Sequence, residues 1–172
     1  MISGMSESVR GPDVVGFAPL VRPGARVLFL GNAPSVLSLQ RQQYYGNPRN
    51  AFWPIMAQLC GFDAAAPYEQ RAAALMAAGY AVWDVLVFCR RPGSLDSSVE
   101  RDSMVANDFA AFYASHPTIE RVFFTGGAAE ANYRRLVSVT ADVTYTRLPS
   151  TSPAHTVAFE TKLAAWRTAV LG

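Results

Sequence analysis

Three short segments hold the side chains that could do chemistry: Gly31-Asn32-Ala33-Pro34-Ser35, Tyr44-Tyr45-Gly46-Asn47-Pro48-Arg49-Asn50-Ala51-Phe52-Trp53, and Pro149-Ser150-Thr151-Ser152-Pro153-Ala154-His155. Each follows an expected strand or opens an expected helix. In an α/β sheet the loops at the carboxyl ends of the strands collect ligands, so segments more than a hundred residues apart are expected to meet in space. Ser35, Ser38, Ser150, Thr151 and Ser152 supply hydroxyls, and Pro34 and Pro153 stiffen their turns. Neutral donors on rigid turns suit phosphate oxygens; ordinary turn chemistry accounts for any one serine but not for the set. Asn50 is placed in the first turn of a helix, where unpaired amide groups and the positive dipole end favour developing negative charge, unless it merely caps that helix. Asn32 directly follows a strand, where a plain turn asparagine is the ordinary reading.

The elements that must position these segments are visible as patterns. Arg26 to Leu30 and Ala81 to Phe88 are continuous apolar runs that suit strands buried on both faces. Arg121 to Thr125, closed by Gly126-Gly127, is a third strand, and the alternating Asp142 to Leu148 is a fourth, at an edge. Asn47 with Pro48 reads as the start of a helix running to Cys60. Tyr68 to Ala78 and Ala128 to Val137 are further helices. Ser97-Ser98-Val99-Glu100 has capping-box spacing and predicts a helix continuing towards Ser115, before Pro117. After Pro153, Phe159, Leu163, Trp166 and Val170 form an apolar stripe that docks on the sheet. Short connections in a βαβα order imply a single-domain three-layer α/β sandwich, with a four-stranded parallel sheet between helices. Residues up to Gly24 read as a loose leader, and residues 25–172 as the domain. His116 ends a helix and falls on the rim opposite His155.

Length and composition narrow the class. A chain of 172 residues is about one domain, and 51% apolar with 16% charged residues suits a folded soluble protein. No run reaches the roughly 20 apolar residues of a membrane helix, and no secretory signal is visible, so a cytoplasmic location without membrane association is expected. Cys60 and Cys89 have no CxxC spacing and no histidine arranged with them, which reads as two reduced, structural thiols and no metal. A net charge of +2 neither requires nor excludes nucleic acid. Of the fifteen basic residues only Lys162 is a lysine, in keeping with an arginine-rich, alanine-rich composition.

The motifs resemble a known family. Gly31-x-x-Pro34-Ser35-x-x-Ser38, Tyr44-Tyr45-Gly46-x-Pro48-Arg49-Asn50-x-Phe52-Trp53, Trp83-Asp84-Val85, Arg91-x-Gly93-Ser94-Leu95-Asp96 and Ser150-Thr151-Ser152-Pro153-Ala154 are together similar to the hypoxanthine-DNA glycosylase branch of the uracil-DNA glycosylase superfamily. The similarity spans about Arg26 to Trp166. It implies an enzyme that flips a deaminated base, hypoxanthine first with uracil or xanthine as alternatives, out of single- or double-stranded DNA. The bond to deoxyribose is then hydrolysed without a metal or an organic cofactor, by a protein acting as a monomer. Most of the superfamily carries a polar catalytic residue where this chain has Ala33; the hypoxanthine branch is thought to use the asparagine of its Pro-x-Asn segment, which is Asn50 here, with Asn32 second. The base pocket is then expected from Gly31, Ala33, Pro34, Ser35, Tyr44, Tyr45 and Phe52, with Trp53 in the core. DNA contacts are expected from Ser38, Arg49, Arg90, Arg91, Ser150, Thr151, Ser152, Pro153, Ala154 and His155. Lys162 falls among core contacts, so base removal without strand cleavage through a Schiff base is expected.

Two other classes compete. A non-catalytic DNA or nucleotide binder on the same fold would keep the rim and lose the chemistry. A hydrolase using a serine or Cys89 with His155 has less support, since no Gly-x-Ser-x-Gly elbow is present.

Overall fold

The computed structural model describes residues 11–172. Its strands are β1 (Asp13–Val15), β2 (Val27–Gly31), β3 (Tyr80–Asp84), β4 (Leu86–Arg90), β5 (Val105–Ala106), β6 (Arg121–Thr125) and β7 (Thr144–Leu148). Its helices are α1 (Val36–Arg41), α2 (Phe52–Cys60), α3 (Tyr68–Ala77), α4 (Phe109–Ser115), α5 (Gly127–Leu136) and α6 (Phe159–Leu171). Strands β3-β2-β6-β7, in that spatial order, form the expected four-stranded sheet, and every pairing in it is parallel. All five residues of β2 are buried, as a strand covered on both faces requires. On one face Phe29 stacks between Phe123 and Trp166, which joins the sheet to α6. Leu163, Trp166 and Val170 of the anticipated stripe are buried there.

The chain leaves β2 towards β3 on one side and leaves β6 towards β7 on the other. The sheet therefore has its topological switch point between β2 and β6, where diverging loops open a crevice beyond the strand ends. Gly31 and Thr125 end these two strands and stand at the crevice floor.

Three features differ from the sequence reading. The run from Ala81 to Phe88 is not one strand. The parallel ladder stops at Asp84, whose carbonyl accepts from the Asn107 side chain at 2.8 Å. The chain then turns into β4, the centre of a small antiparallel sheet ordered β1-β4-β5. Of the leader expected up to Gly24, residues 1–10 lie outside the described residues and residues 11–24 are tied down: β1 pairs with β4, Leu20 bridges Val82, and the Tyr44 hydroxyl donates to the Ala18 carbonyl at 2.8 Å. The capping-box letters at Ser97 to Glu100 start no α-helix. The Glu100 carboxylate instead accepts from the Gly11 amide at 2.8 Å, the segment makes two 3-10 turns (Asp96–Ser98 and Arg101–Ser103), and α4 is capped by Asp108. Among the described residues no helix is long and apolar enough to cross a membrane.

Candidate active site

The crevice is built from the first loop outward. Gly31 closes β2 where a Cβ would sit 2.6 Å from Asp84 Oδ1 and 3.1 Å from the Tyr45 hydroxyl, so only a glycine leaves room at the floor. Ser35 caps α1, its hydroxyl accepting from the Ser38 amide at 3.1 Å. The buried Ser38 hydroxyl accepts in turn from the Gly46 amide at 2.9 Å, which fastens the second segment to the first. The third segment is held by the last helix: Trp166 Nε1 donates to the Pro149 carbonyl at 3.0 Å and Lys162 Nζ to the Ser152 carbonyl at 3.1 Å. The Ala51 amide donates to the Thr151 carbonyl at 3.0 Å and joins the second and third segments directly.

Gly31, Asn32, Ala33, Pro34, Ser35 and Ser38 line one side of the resulting cleft, Tyr44, Tyr45 and Asn50 another, and Ser150, Thr151 and Ser152 a third. Pro153 and His155 lie on an adjoining flank that Asn50 also lines, together with Arg49 and Lys162. Ala154 is exposed on the same turn, and the exposed His155 closes it with its amide on the Ser152 carbonyl at 3.0 Å.

The two asparagines are held differently. Asn50 lies before α2 rather than within its first turn; its Oδ1 accepts from the Phe52 amide at 2.9 Å, and Nδ2 has no protein partner among the described residues. This contact satisfies an otherwise orphaned helix donor and fixes the carboxamide at the cleft wall. Both ends of the Asn32 side chain are occupied. Its Oδ1 accepts from Asn132 Nδ2 at 2.8 Å and its Nδ2 donates to Asp96 Oδ1 at 3.1 Å, the carboxylate fixing which end is the amide nitrogen. Asn32 is thus a brace between α5 and the loop after β4.

Three expected site residues stand elsewhere. Phe52 is fully buried and does not line the cleft; it packs edge-on against Phe29, Trp53 and Trp166 and forms core, as Trp53 does. The aromatic wall is Tyr45, whose ring stacks on Phe52 at 4.1 Å and whose hydroxyl lies 3.3 Å from Thr125 Oγ1. Tyr45 adopts φ 53°, a left-handed conformation that costs a non-glycine residue on the order of 1–3 kcal/mol. Arg91 is only 1% exposed and is no rim contact. Its Nε donates to the Gly93 carbonyl and its Nη2 to the Pro34 carbonyl, both at 2.6 Å. Arg90 points into the small sheet, its guanidinium over Phe88 and its Nε 3.4 Å from Asp13 Oδ1.

Sequence reasoning passed over Asp84 as a site residue. It ends β3 on the cleft floor, 4% exposed, with Oδ2 lacking any hydrogen-bond partner. Burial pushes its pKa from 3.8 up to about 7; the Asp96 charge adds to the rise and Arg91 opposes it. A lone acid inside the apolar run Tyr80 to Leu86 was the available signal. Thr125, Ser94 and Asp96 complete the lining.

The chain is similar to known proteins over most of its length. The chain is 30% identical over 112 residues to the hypoxanthine DNA glycosylase of Methanosarcina barkeri, covering 64% of this chain and 70% of that protein. It is 32% identical over 115 residues to that of Methanosarcina acetivorans, covering 66% and 72%. The solution NMR structure of a candidate uracil DNA glycosylase from Methanosarcina acetivorans superposes with a TM-score of 0.73 at 28% identity, covering 91% of this chain and 98% of that one. The sequence profile of the uracil DNA glycosylase superfamily matches residues 18–170, which takes in all three cleft segments and the sheet that carries them, and the chain belongs to that superfamily.

Proposed function

We propose that the protein is a monofunctional DNA glycosylase that everts a deaminated nucleotide, hypoxanthine first with uracil and xanthine next, and hydrolyses its N-glycosidic bond. DNA glycosylase activity follows from the superfamily and from the names of the two archaeal relatives. The observation that carries the finer reading is the Asn50 carboxamide, locked by the Phe52 amide on the wall of a cleft whose floor is Asp84.

Hydrolysis breaks the bond between C1′ and the base nitrogen, the electron pair leaves with the base, water adds to C1′ as a hydroxyl, and the proton the water gives up passes to solvent, from which the departed base takes one. A neutral carboxamide cannot remove a proton from that water. Asn50 therefore acts by orientation, holding water against a sugar carbon that already carries positive charge, through Nδ2 and the lone pair of Oδ1 not used by Phe52. Tyr45 offers an aromatic wall to an everted base. Burial keeps its phenol protonated, so it can donate. A protonated Asp84 carboxyl can donate to a carbonyl oxygen and accept from the adjacent ring N–H, and hypoxanthine and uracil both present that lactam pair. The hydroxyls of Ser35, Ser150 and Ser152 suit the phosphates flanking the everted nucleotide.

The Lys162 amine is buried against the Ser152 carbonyl, and burial lowers its proton affinity. We assign it to holding the loop and expect no lyase step, so borohydride traps no protein on DNA. The function is tested by incubating duplexes that contain hypoxanthine, uracil or xanthine, followed by alkali. Alkali-labile abasic ends are expected; a protein that retards the duplexes without generating such ends is a binder and the enzymatic reading fails.

A further inference from the structure

Two carboxylates face the cleft, and they are held in opposite ways. Asp84 lies on the floor, its Oδ2 buried without a hydrogen-bond partner. Asp96 stands on the wall and is exposed at the mouth. Its Oδ1 accepts from Asn32 Nδ2 at 3.1 Å, and its Oδ2 has no protein partner among the described residues. Asn32 is itself fixed from behind by the Asn132 side chain, so an N–H is aimed at Asp96 and cannot turn away. Desolvation within the cleft raises the Asp96 pKa from 3.8, and the Asn32 donor and the Arg91 charge oppose that rise. Asp84 has no such donor, and the negative charge of Asp96 adds to its proton affinity. Where two neighbouring carboxyls have environments that push them apart, the one without donors keeps the proton. Asp84 is the acid of the pair and Asp96 the anion.

A negative charge at this place works against the ligand. DNA brings phosphates to the cleft, and an anion among the hydroxyls of Ser35, Ser94 and Ser150 repels them. An asparagine at position 96 could brace Asn32 equally well, since its carbonyl accepts the same hydrogen bond. The charge therefore needs another reason. Building on the glycosylase reading, we propose that Asp96 stabilises the positive charge that develops on the deoxyribose as the base departs. With the base on the floor, against Asp84 and Tyr45, its sugar comes to the walls, where Asp96 and Asn50 line the same cleft. The attraction is small while the glycosidic bond is intact and grows as it breaks, which is the differential binding that lowers a barrier. Asp96 takes no proton and forms no bond: Asn50 orients the water, and Asp96 steadies the carbon that the water attacks. The chain from Asn132 through Asn32 holds the carboxylate in place, so that no reorganisation is needed during the reaction.

The test measures two quantities for wild type, Asp96→Asn, Asp96→Ala and Asp102→Asn, the last removing the same charge from an exposed turn outside the cleft. One is single-turnover release of hypoxanthine from a duplex, at one pH and ionic strength. The other is affinity for duplexes that carry, in place of the lesion, either a neutral tetrahydrofuran sugar or a cationic pyrrolidine with its nitrogen at the C1′ position. Wild type is expected to favour the cationic duplex by about tenfold or more, and Asp96→Asn to lose that preference and slow release by about a hundredfold or more. Retained affinity of Asp96→Asn for the neutral duplex shows that it is folded, and the wild-type preference is read without any variant. Asp102→Asn should stay near wild type in both measurements. A carboxylate that only braces the loop predicts instead that Asp96→Asn behaves as wild type and that Asp96→Ala weakens on both duplexes alike. That result, a wild type indifferent to the cation, or an equal loss in Asp102→Asn would overturn the assignment with the glycosylase reading intact. A wild-type protein that releases no base from hypoxanthine, uracil or xanthine duplexes sinks the functional reading and this inference with it.

Discussion

Asp84→Asn replaces a buried acid with a group of the same shape that never titrates. In the unfolded chain the carboxyl ionises near 3.8, and in the fold near 7. Between those values the folded protein holds a proton that the unfolded chain has already lost, so wild-type stability falls as pH rises from about 4 to about 7 and stays lowered above that. A proton affinity raised so far corresponds to a ceiling of about 4 kcal/mol. Water entering the open cleft brings the expected loss to on the order of 2 kcal/mol. The variant lacks this slope and should be the more stable protein at pH 8, while the two should lie closer together at pH 4.5. Urea titrations of both proteins across that range measure it. With a slope of about 2 kcal/mol per molar urea, the midpoint difference should change by about 1 M. Midpoints that run parallel at every pH would refute the claim that Asp84 holds its proton in the fold.

Further consequences concern the floor and the walls of the cleft. Gly31→Val places carbon atoms where Asp84 Oδ1 and the Tyr45 hydroxyl stand, so base release should fall at least a hundredfold with a native circular dichroism spectrum; full activity would show that the floor is not where the base sits. Lys162→Ala removes one of the two donors to the Ser152 carbonyl, the His155 amide keeping the other, which should destabilise the protein by about 0.5–1.5 kcal/mol in urea unfolding. An unchanged midpoint would show that the amine does not hold the loop.

Two of the parallel strands were legible as apolar runs that stop at Gly31 and Gly126, the edge strand by its alternation, and the three cleft segments because each follows a strand or opens a helix. What was illegible depended on partners far along the chain. Nothing in Tyr80 to Arg90 marks the point where the ladder ends, since that is set by Asn107 reaching the Asp84 carbonyl. The capping-box letters lost their meaning because Glu100 is taken by Gly11, eighty-nine residues earlier. Arg91 looks like any rim arginine until Pro34 is brought over it. Phe52 leaves its expected place in the pocket because it fits between Phe29 and Trp166, from opposite ends of the chain, while Tyr45 faces the cleft as expected.

The central claim is that one carboxamide, fixed at the edge of α2, directs water onto the sugar carbon. Asn50→Ala measures it most directly, in single-turnover release of hypoxanthine alongside a gel-shift titration with the same duplex. Release should drop by about two to four orders of magnitude with duplex affinity within a few fold of wild type. A variant that releases the base at the wild-type rate would contradict the claim and move the chemistry away from Asn50.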